Sequence, residues 1–433
     1  MQVGVIGAGI SGQAAAALLA RKGARVLLSE RDDLHLKPQK NIEIETGGHS
    51  LRLLDSRLII RSPGVPSHLP ILEKALRERI PVWSELELAS RFIRPKIAIA
   101  ITGTNGKTTT TTLVGKLFET AGAALVAGNI GTPLSACVDR IRSSTSVVLE
   151  ASSYQLENIV SFHPGMSAIL NITPDHLEHH GSMRAYIKAK ARIFENQNRS
   201  DICVLNADDP NCRALAGECP AKVLFFSRKK ALTEGIWHKD GRIYVAWGKT
   251  MALWNLRMRI PGPHNIENAL AAAALAVAGG IPVDAIRKVL ERFRGVEHRL
   301  EVVRSYHGAR YINDSKATNV DSTRVALESF PGQVILIMGG QGKGSPYTPL
   351  KGLVKQRVKK IFLIGEDAGQ IEHDLRGAAP AEQAGDMTRA VRRASQIAAE
   401  GDVVLLSPAC ASFDQYHDYE ERGRHFKSLV KHL

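Results

Sequence analysis

Residues 102–112, Thr-Gly-Thr-Asn-Gly-Lys-Thr-Thr-Thr-Thr-Thr, combine a glycine turn, a lysine and hydroxyl side chains directly after an apolar run at 97–101. The backbone N–H groups of such a turn and the N-terminus of a following helix attract anionic oxygens. Lys107 can reach the terminal phosphates of a nucleotide, and Thr108 can place its hydroxyl on Mg²⁺. The spacing departs from the usual phosphate loop, since Ile101 holds the place of its first glycine. A Thr-rich helix cap is the alternative, but strand, turn, lysine and hydroxyls together favour a nucleoside triphosphate site.

A second glycine turn, Gly7–Gly12, follows the first predicted strand and reads G-x-G-x-x-G, with Glu30 at the end of the second strand. This pattern is typical of a dinucleotide site in which the acid binds a ribose. The glycines let any pyrophosphate approach a helix N-terminus, so UDP or another nucleotide serves equally well. A turn needed only for helix–strand packing remains the alternative.

The apolar strand 147–150 ends in a carboxylate, Glu150. In phosphate-loop enzymes an acid at the end of a neighbouring strand holds Mg²⁺, directly or through water. An isolated strand-end acid more often caps a turn, but Thr108 favours the metal-binding interpretation.

Acids and imidazoles are concentrated at 171–180, after another predicted strand. His176 can bind a metal or steer a phosphate. His179 and His180 are predicted to be loop residues in water. The lysines of the next predicted helix, Lys188 and Lys190, are expected to form a solvated face, and the residues give no reason to prefer Lys190.

The segment 261–269 predicts a loop that enters a helix. Asn265 is placed to cap that helix, whereas Asn268 lies one turn further in and can bind an adenine or a phosphate. Arg299 lies at a predicted domain boundary, from which it can reach a transferred phosphate when domains close.

Three polar turns follow predicted strands in the C-terminal third of the chain, at 313–319, 339–344 and 407–414. The carboxyl ends of parallel strands meet at one edge of a sheet. We therefore expect these turns to form one binding face.

The alternation of short strands and helices predicts an α/β fold with parallel sheets. The 433 residues are too many for one core, and we predict three domains. These are a Rossmann-like domain at 1–93, a P-loop ATPase-like domain at 94–296 and a second Rossmann-like domain at 297–433. The predicted strands of the first half are 2–6, 25–29, 56–61, 97–101, 146–150, 168–172 and 202–206.

Composition narrows the class of protein. Hydrophobic content of 44% and the absence of a long apolar run predict a soluble protein without membrane insertion. Five scattered cysteines without a C-x-x-C pair argue against a disulfide frame and fit the cytoplasm. The net charge of +14 is typical of some nucleic-acid binders, but the basic residues are dispersed, so we expect no nucleic-acid partner. A positive field also attracts a multiply anionic small substrate.

Together these motifs resemble the Mur ligase family from residue 7 to residue 427. The segments that carry the resemblance are TGTNGKTTT (102–110), GNIGTPL (128–134), LEASSYQLE (149–157), LNITPDHLEHH (170–180), HNIENALAA (264–272), HRLEVV (298–303), INDSKATN (312–319) and SPACASFDQY (407–416). The segments at 312–319 and 407–416 are similar to those of the family members that use D-glutamate. The sequence departs from common family residues at Tyr154, Pro174 and Tyr419.

The resemblance implies a monomeric ligase that uses ATP and two Mg²⁺ ions to join D-glutamate to UDP-N-acetylmuramoyl-L-alanine through an acyl-phosphate, in peptidoglycan precursor synthesis. The residues that it implies for the UDP-sugar are Ile10, Ser11, Glu30, Ser62, Asn129 and Gln155. Those for ATP are Thr104, Asn105, Gly106, Lys107, Thr108, Thr109, Asn268, Arg299 and Asp314. Those for D-glutamate are Lys316, Thr318, Lys343, Ser412 and Tyr419. The implied metal ligands are Thr108, Glu150, His176 and a carbamylated Lys190, and the implied catalytic residues are Lys107, Glu150, His176, Lys190 and Lys316.

Three other functions remain open on the residues. A nicotinamide oxidoreductase explains Gly7–Gly12 but leaves residues 102–112 without a role. A sister ligase for another amino acid, or one for folate polyglutamylation, shares the central chemistry. A basic phosphate-loop protein acting on nucleic acid is the third.

Overall fold

The computed structural model describes residues 1–33, 39–129, 131–260, 262–342 and 344–433. The chain forms two compact units, one of residues 1–256 and 267–290 and the other of residues 257–266 and 291–433. Three mixed or parallel sheets flanked by helices confirm the predicted α/β class. No helix within the described ranges is long and apolar enough to cross a membrane.

The first sheet has five parallel strands in the order β3-β2-β1-β4-β5. Its elements are β1 Gln2–Ile6, α1 Ile10–Arg21, β2 Arg25–Ser29, β3 Ile42–Glu45, β4 Ile59–Arg61, α2 Pro70–Arg77, β5 Val82–Ser84 and α3 Glu85–Ser90. The predicted strand 56–61 is three residues too long: Ser56 is the C-cap of a 3-10 helix at Leu51–Asp55, and β4 begins only at Ile59. The strand order reverses between β1 and β4, which places the turn after β1 at the crevice where such sheets bind ligands.

The second sheet has nine strands in the order β14-β13-β12-β11-β10-β9-β6-β8-β7. Its strands are β6 Ile97–Thr102, β7 Ala124–Gly128, β8 Ser146–Glu150, β9 Met166–Ile169, β10 Ile202–Asn206, β11 Lys222–Ser227, β12 Gly235–Lys239, β13 Arg242–Trp247 and β14 Thr250–Asn255. Its helices are α4 Lys107–Glu119, α5 Leu134–Cys137, α6 Ser153–Leu156, α7 Leu177–His180, α8 Met183–Ala191, α9 Pro210–Leu215, α10 Pro263–Ala278 and α11 Val283–Arg292. The pairs β12–β13 and β13–β14 are antiparallel.

Strand β9 ends earlier than the predicted 168–172. After β9, Asn171 binds the glycine loop instead of continuing the strand. Its backbone oxygen accepts from Thr104 N at 2.9 Å, and its side-chain Oδ1 accepts from Asn105 N at 2.8 Å. The side-chain amide of Asn171 therefore helps to shape the loop.

The third sheet has six strands in the order β15-β16-β20-β17-β18-β19, with β15 antiparallel to β16. Its elements are β15 Glu301–Tyr306, β16 Ala309–Asn313, α12 Val320–Glu328, β17 Val334–Gly339, α13 Lys351–Arg357, β18 Val358–Ile364, α14 Ala368–Asp374, β19 Ala381–Gly385, α15 Met387–Ile397, β20 Val403–Leu406 and α16 Tyr419–Lys431. Strand β20 lies between β16 and β17, parallel to both. The polar turns after these three strands are therefore neighbours at one edge, as predicted.

A continuous apolar core joins the first and second sheets. A buried carboxylate adds a polar contact between them: Glu87, on α3, accepts hydrogen bonds from the backbone N–H groups of Val160, Ser161 and Phe162 at 2.8–3.0 Å. The same carboxylate accepts from the Ser161 hydroxyl and from Arg91 Nε. The first sheet is thus held on the second by directional contacts as well as by apolar packing.

Candidate active site

The glycine loop between β6 and α4 adopts backbone angles that only glycine takes easily. Gly103 has φ of +153° and Gly106 has φ of +86°. A Cβ added to Gly106 would lie 2.2 Å from Asn268 Oδ1, so this position also excludes other residues by space. Lys107 Nζ folds over the loop and donates to the backbone oxygens of Gly103 and Thr104 at 2.9 and 2.8 Å. The loop has the build of a phosphate cradle with a lysine at its mouth.

The predicted hydroxyl–acid pair lies beside this loop. Thr108 Oγ1 donates to Glu150 Oε2 at 2.9 Å, and Asn129 Nδ2 donates to Glu150 Oε1 at 3.2 Å. Glu150 is buried at the end of β8. A carboxylate and a hydroxyl are hard oxygen donors, which suit Mg²⁺. The donor set at this corner therefore fits the ion that the sequence implies.

His176 directly precedes α7 and has φ of +53°, an uncommon conformation for a residue other than glycine. Burial lowers the pKa of His176, the carboxylate of Asp175 opposes that shift, and the charge of Lys107 adds to it. The structure thus brings His176 into the electrostatic surroundings of the phosphate loop. The neutral imidazole that results is the form that binds metals.

Lys190 is buried, whereas Lys188 is exposed. The expectation of a solvated lysine face on α8 is therefore wrong for Lys190. Its Nζ donates to Gly103 O at 2.8 Å and lies 4.5 Å from the centroid of the Tyr186 ring. Burial, with the nearby charge of Lys107, lowers the pKa of Lys190 well below its usual value. Residues 107 and 190 thus approach the same carbonyl from different helices.

The first glycine turn is closed by the predicted acid. Glu30 Oε2 accepts from Ala8 N at 2.6 Å, and Ser62 Oγ, directly after β4, donates to Gly7 O at 2.8 Å. A Cβ on Gly12 would lie 1.8 Å from Gly7 O, so close helix–strand packing also requires glycine here. Nucleotide binding and packing, the two alternatives for this turn, are therefore compatible.

The other residues expected at the UDP-sugar differ in exposure. Ile10 and Ser11 open α1 on the solvent side, whereas Gln155 is buried and forms a capping box with Ser152 on α6. Gln155 Nε2 has no hydrogen-bond partner among the described residues. A buried amide of this kind is suited to bind a substrate oxygen.

Asp314, after β16, is buried in the second unit. It accepts from Ser407 Oγ at 2.8 Å and from Leu300 N at 3.2 Å. Burial raises its pKa to about 7, and the charge of Arg299 opposes that rise. The turns after β16 and β20 are therefore joined through a carboxyl group that titrates near neutral pH.

Two of the residues expected to bind D-glutamate, Lys316 and Tyr419, lie close to each other. Lys316 Nζ lies 5.4 Å from the centroid of the Tyr419 ring. Thr318 is half-buried and Ser412 is buried. Lys343 lies outside the described residues.

Arg422 was not predicted by any motif, yet it holds this region together. Its buried guanidinium donates to the backbone oxygens of Ala411, Cys410 and Ser315 at 2.9, 3.1 and 2.9 Å and to Ser315 Oγ at 3.0 Å. Burial lowers its pKa to about 10. One arginine thus ties the turn after β16 to the turn after β20.

Two histidines were predicted wrongly. The side chains of His179 and His180 are only 8% and 2% exposed, so they do not lie in water. Both contact Glu157, which in turn binds Arg61. Only the recurrence of imidazoles at 176, 179 and 180 could have signalled this cluster in the sequence.

A cavity of about 680 Å³ lies at the opposite edge of the second sheet, between the linker 90–96, the loop 161–165 and Asp201. None of the predicted site residues that the structure describes lines it. The contacts of the glycine loop and its neighbours, rather than the presence of a cavity, locate the candidate site.

Comparison with known proteins identifies matching domains along the chain. Models of the Mur ligase middle domain and of the Mur ligase glutamate ligase domain match residues 101–276 and 298–410, and a model of an NAD(P)-binding Rossmann-like domain matches residues 5–35. A protein of Koribacter versatilis named UDP-N-acetylmuramoylalanine–D-glutamate ligase is 46% identical over 99% of this chain and 97% of its own length. The protein of the same name from Elusimicrobium minutum is 41% identical over the same shares.

Solved structures share the fold at low sequence identity. MurF ligase from Thermotoga maritima in complex with ADP matches with a TM-score of 0.65 and 17% identity, covering 100% of this chain and 95% of that one. UDP-N-acetylmuramate-alanine ligase MurC from the same organism matches with a TM-score of 0.63 and 22% identity, covering 100% and 99%.

Proposed function

The chain belongs to the Mur ligase family, and from this we propose that it is an ATP-dependent ligase that joins D-glutamate to UDP-N-acetylmuramoyl-L-alanine in peptidoglycan precursor synthesis. Relatives named for D-glutamate ligation match nearly the whole chain at 41–46% identity. The observation that carries the catalytic part is the convergence of Lys107, Thr108, Glu150 and Lys190 on the loop at Gly103 and its neighbours.

The chemistry follows from the substrates. A carboxylate does not form an amide spontaneously in water, so the alanyl carboxylate must first accept the γ-phosphoryl group of ATP, which releases ADP. The amine of D-glutamate then attacks the acyl-phosphate carbon and expels phosphate. Lys107 is placed to neutralise phosphoryl oxygens during the first step.

Two Mg²⁺ ions, held by Thr108, Glu150, His176 and a carbamylated Lys190, would reduce the repulsion between the carboxylate and the γ-phosphate. The surroundings of Lys190 support the carbamate. A lowered pKa favours the neutral form of the amine, and a neutral amine can add CO₂ with loss of a proton. The change from cation to anion also removes the repulsion between Lys190 and Lys107.

The UDP-sugar is proposed to bind at the first glycine turn, since β1 and β4 flank the reversal of strand order. Its contacts are proposed to be Ile10, Ser11, Glu30, Ser62, Asn129 and Gln155. ATP is proposed to bind residues 104–109 with Asn268, Arg299 and Asp314, and D-glutamate to bind Lys316, Thr318, Lys343, Ser412 and Tyr419. The family resemblance supports these roles, and the domain limits 1–93, 94–296 and 297–433 belong to the same proposal.

The proposal includes a monomer in the cytoplasm. The five cysteines are free, which suits a reducing compartment.

Phosphate release with ATP, Mg²⁺, UDP-N-acetylmuramoyl-L-alanine and a panel of D- and L-amino acids tests the proposal. We expect release to require D-glutamate. A requirement for a different amino acid would assign a sister ligase, and release without any UDP-sugar but with DNA would contradict ligation.

Two lysine pairs give matched variants. Lys107→Ala should abolish phosphate release while UDP-sugar binding survives, and Lys116→Ala, exposed on the same helix, should leave both unchanged. Lys190→Ala should lose activity and regain part of it with a small carboxylate in the buffer, whereas Lys188→Ala should stay active. Full activity of Lys190→Ala without any additive would refute the carbamate.

A further inference from the structure

Four side chains, Arg61, Glu157, His179 and His180, form what we call the Glu157 cluster. Arg61 Nη2 donates to Glu157 Oε2 at 2.7 Å. His179 Nε2 and His180 Nδ1 both lie 3.0 Å from Glu157 Oε1. His179 Nε2 also lies 3.1 Å from Oε2, so one carboxylate faces a guanidinium and two imidazoles.

Arg61 brings the first sheet into this cluster. It is the last residue of β4, directly before Ser62, and its Nη2 also donates to Tyr154 O on α6 at 2.9 Å. Its Nη1 is buried without a hydrogen-bond partner among the described residues. A buried guanidinium that leaves one nitrogen unsatisfied is held in place by its other contacts, chiefly Glu157.

The histidines bring in the turn that carries His176. Helix α7 has only four residues, and a helix of this length is not stable by itself. His176 precedes it in a left-handed conformation, which costs about 1 kcal/mol, and no side chain in the described part of the chain caps the helix. The conformation of this turn must therefore be fixed by contacts outside it.

Those contacts converge on α6 and Glu157. His179 packs against the Tyr154 ring, with centroids 4.3 Å apart, and its Nε2 faces Glu157. His180 Nε2 lies 3.0 Å from Ser153 Oγ, while its Nδ1 faces Glu157. Every polar contact that the structure gives to these two imidazoles is made to residues 153–157.

We propose that Glu157 is a positioning residue: it fixes the turn 175–180, and with it the imidazole of His176, relative to both α6 and the end of β4. The role rests on the proposed function, in which His176 is a metal ligand. The negative charge is essential to it, because both oxygens of the carboxylate face donors: Arg61 donates to Oε2, His179 Nε2 lies within 3.1 Å of both oxygens, and His180 Nδ1 lies 3.0 Å from Oε1. A neutral amide offers one oxygen and places N–H groups against donors.

Glu157 offers a carboxylate oxygen, and His179 and His180 each offer a ring nitrogen. These three atoms lie within 4.8 Å of one another, which is close enough to ligate a metal ion. The Arg61 cation on the same carboxylate opposes that use, because it lies on the other oxygen and repels a second cation. We therefore assign the cluster to positioning. A transition metal retained at one equivalent by the purified protein, and lost in His179→Ala with His180→Ala, would overturn this assignment.

Glu157→Gln tests the proposal through the Mg²⁺ dependence of phosphate release. Loss of a residue that orients a metal ligand typically costs 10–100-fold in metal affinity. We expect the Mg²⁺ concentration at half-maximal rate to rise at least tenfold, while the KM for D-glutamate changes less than threefold. The control is Glu43→Gln, which breaks an exposed pair with Arg52 away from the cluster and should leave both values unchanged.

A second measurement does not depend on ligase activity. Hydrogen exchange of the ligand-free protein should become faster at residues 177–180 in Glu157→Gln and stay unchanged in α4, which is the internal reference for folding. Arg61→Met should give a smaller increase at the same residues, and the double variant should show no more than Glu157→Gln alone, as expected when two residues act as one unit. If phosphate release by the wild type required no D-glutamate, the proposed function would be wrong. The hydrogen-exchange measurement would still decide whether Glu157 positions the turn.

Unchanged Mg²⁺ dependence together with unchanged exchange at residues 177–180 in Glu157→Gln would overturn the proposal. Faster exchange throughout the first unit would also overturn it, since Glu157 would then support the fold in general rather than this turn.

Discussion

Two carboxylates on helix α3, Glu85 and Glu87, provide a sharp test of what holds the first sheet on the second. Both are buried, and they lie two residues apart. Glu87 accepts three backbone N–H bonds, a hydroxyl and Arg91. Glu85 accepts from Ser135 N, and its Oε2 has no hydrogen-bond partner among the described residues.

Their pKa values move in opposite directions. Burial alone would raise the pKa of Glu87, but the hydrogen bonds from Val160, Ser161 and Arg91 outweigh it and hold the value below the usual one. For Glu85 burial dominates and raises the pKa, against the opposing bond from Ser135. The charged form is therefore stabilised by folding at Glu87 and destabilised at Glu85.

The expected magnitude follows from the donors at Glu87. A hydrogen bond to a charged group contributes about 1.5–3 kcal/mol. Val160 and Ser161 are exposed and can bind water when the carboxylate is lost, whereas Phe162 is buried. Counting one full bond and part of the others, Glu87→Gln should destabilise the contact by about 2–4 kcal/mol. Glu85→Gln removes a charge that burial opposes and should be neutral or stabilising.

Hydrogen exchange measures this contact directly, because the amides of residues 160–162 are the donors. A loss of about 2–4 kcal/mol corresponds to exchange that is about 30- to 900-fold faster. We expect this acceleration in Glu87→Gln and none in Glu85→Gln, at pH 7 and after correction for intrinsic rates. An acceleration below about threefold in Glu87→Gln would refute the reasoning, as would equal effects of the two variants.

The pH dependence has a definite sign. Because the folded pKa of Glu87 is lowered, its contribution is present above the unfolded value near 4.5 and is lost as the pH falls through the folded value. Protection of residues 160–162 in the wild type should therefore weaken in acid, whereas Glu87→Gln should lack this dependence.

Three other predictions concern the candidate site. Gly106→Ala should abolish ATP binding measured by calorimetry, since its Cβ would meet Asn268 at 2.2 Å at a φ of +86°; normal binding would contradict the role of the loop. Asp314→Asn should raise the thermal midpoint more at pH 8.5 than at pH 5.5, because a folded pKa of about 7 makes the ionised form costly above that pH; a gain confined to pH 5.5 would have the wrong sign. Arg422→Met should raise the KM for D-glutamate at least tenfold, because four hydrogen bonds are lost. Arg424→Met, on the exposed face of the same helix, should leave the KM unchanged. Equal KM values for both variants would contradict the role of Arg422 in holding the two turns together.

The glycine turns could be predicted because their causes are local. At residues 102–108 the apolar strand, the positive-φ glycines and the helix that begins with Lys107 are all consequences of neighbouring residues. The same holds for Gly7–Gly12, where Gly12 is required by a contact with Gly7 only five residues away. The α/β class and the polar turns at strand ends also follow from alternation along the chain.

Sequence reasoning failed where a side chain's partner is distant in the chain. Lys188 and Lys190 differ by 200° around helix α8, and only the packing of that helix decides that Lys190 enters the interior and reaches Gly103, 87 residues away. His179 and His180 resemble solvated loop residues until Glu157 is brought beside them.

The sequence by itself determined the conformation of the two glycine turns, because glycine geometry and helix N-termini act over a few residues. The tertiary structure decided which charged side chains lie beside those turns. Arg61 and Glu157 are 96 residues apart, and Ser315 and Arg422 are 107 apart. Such pairs are selected by sheet order and helix packing, so no local pattern could reveal them.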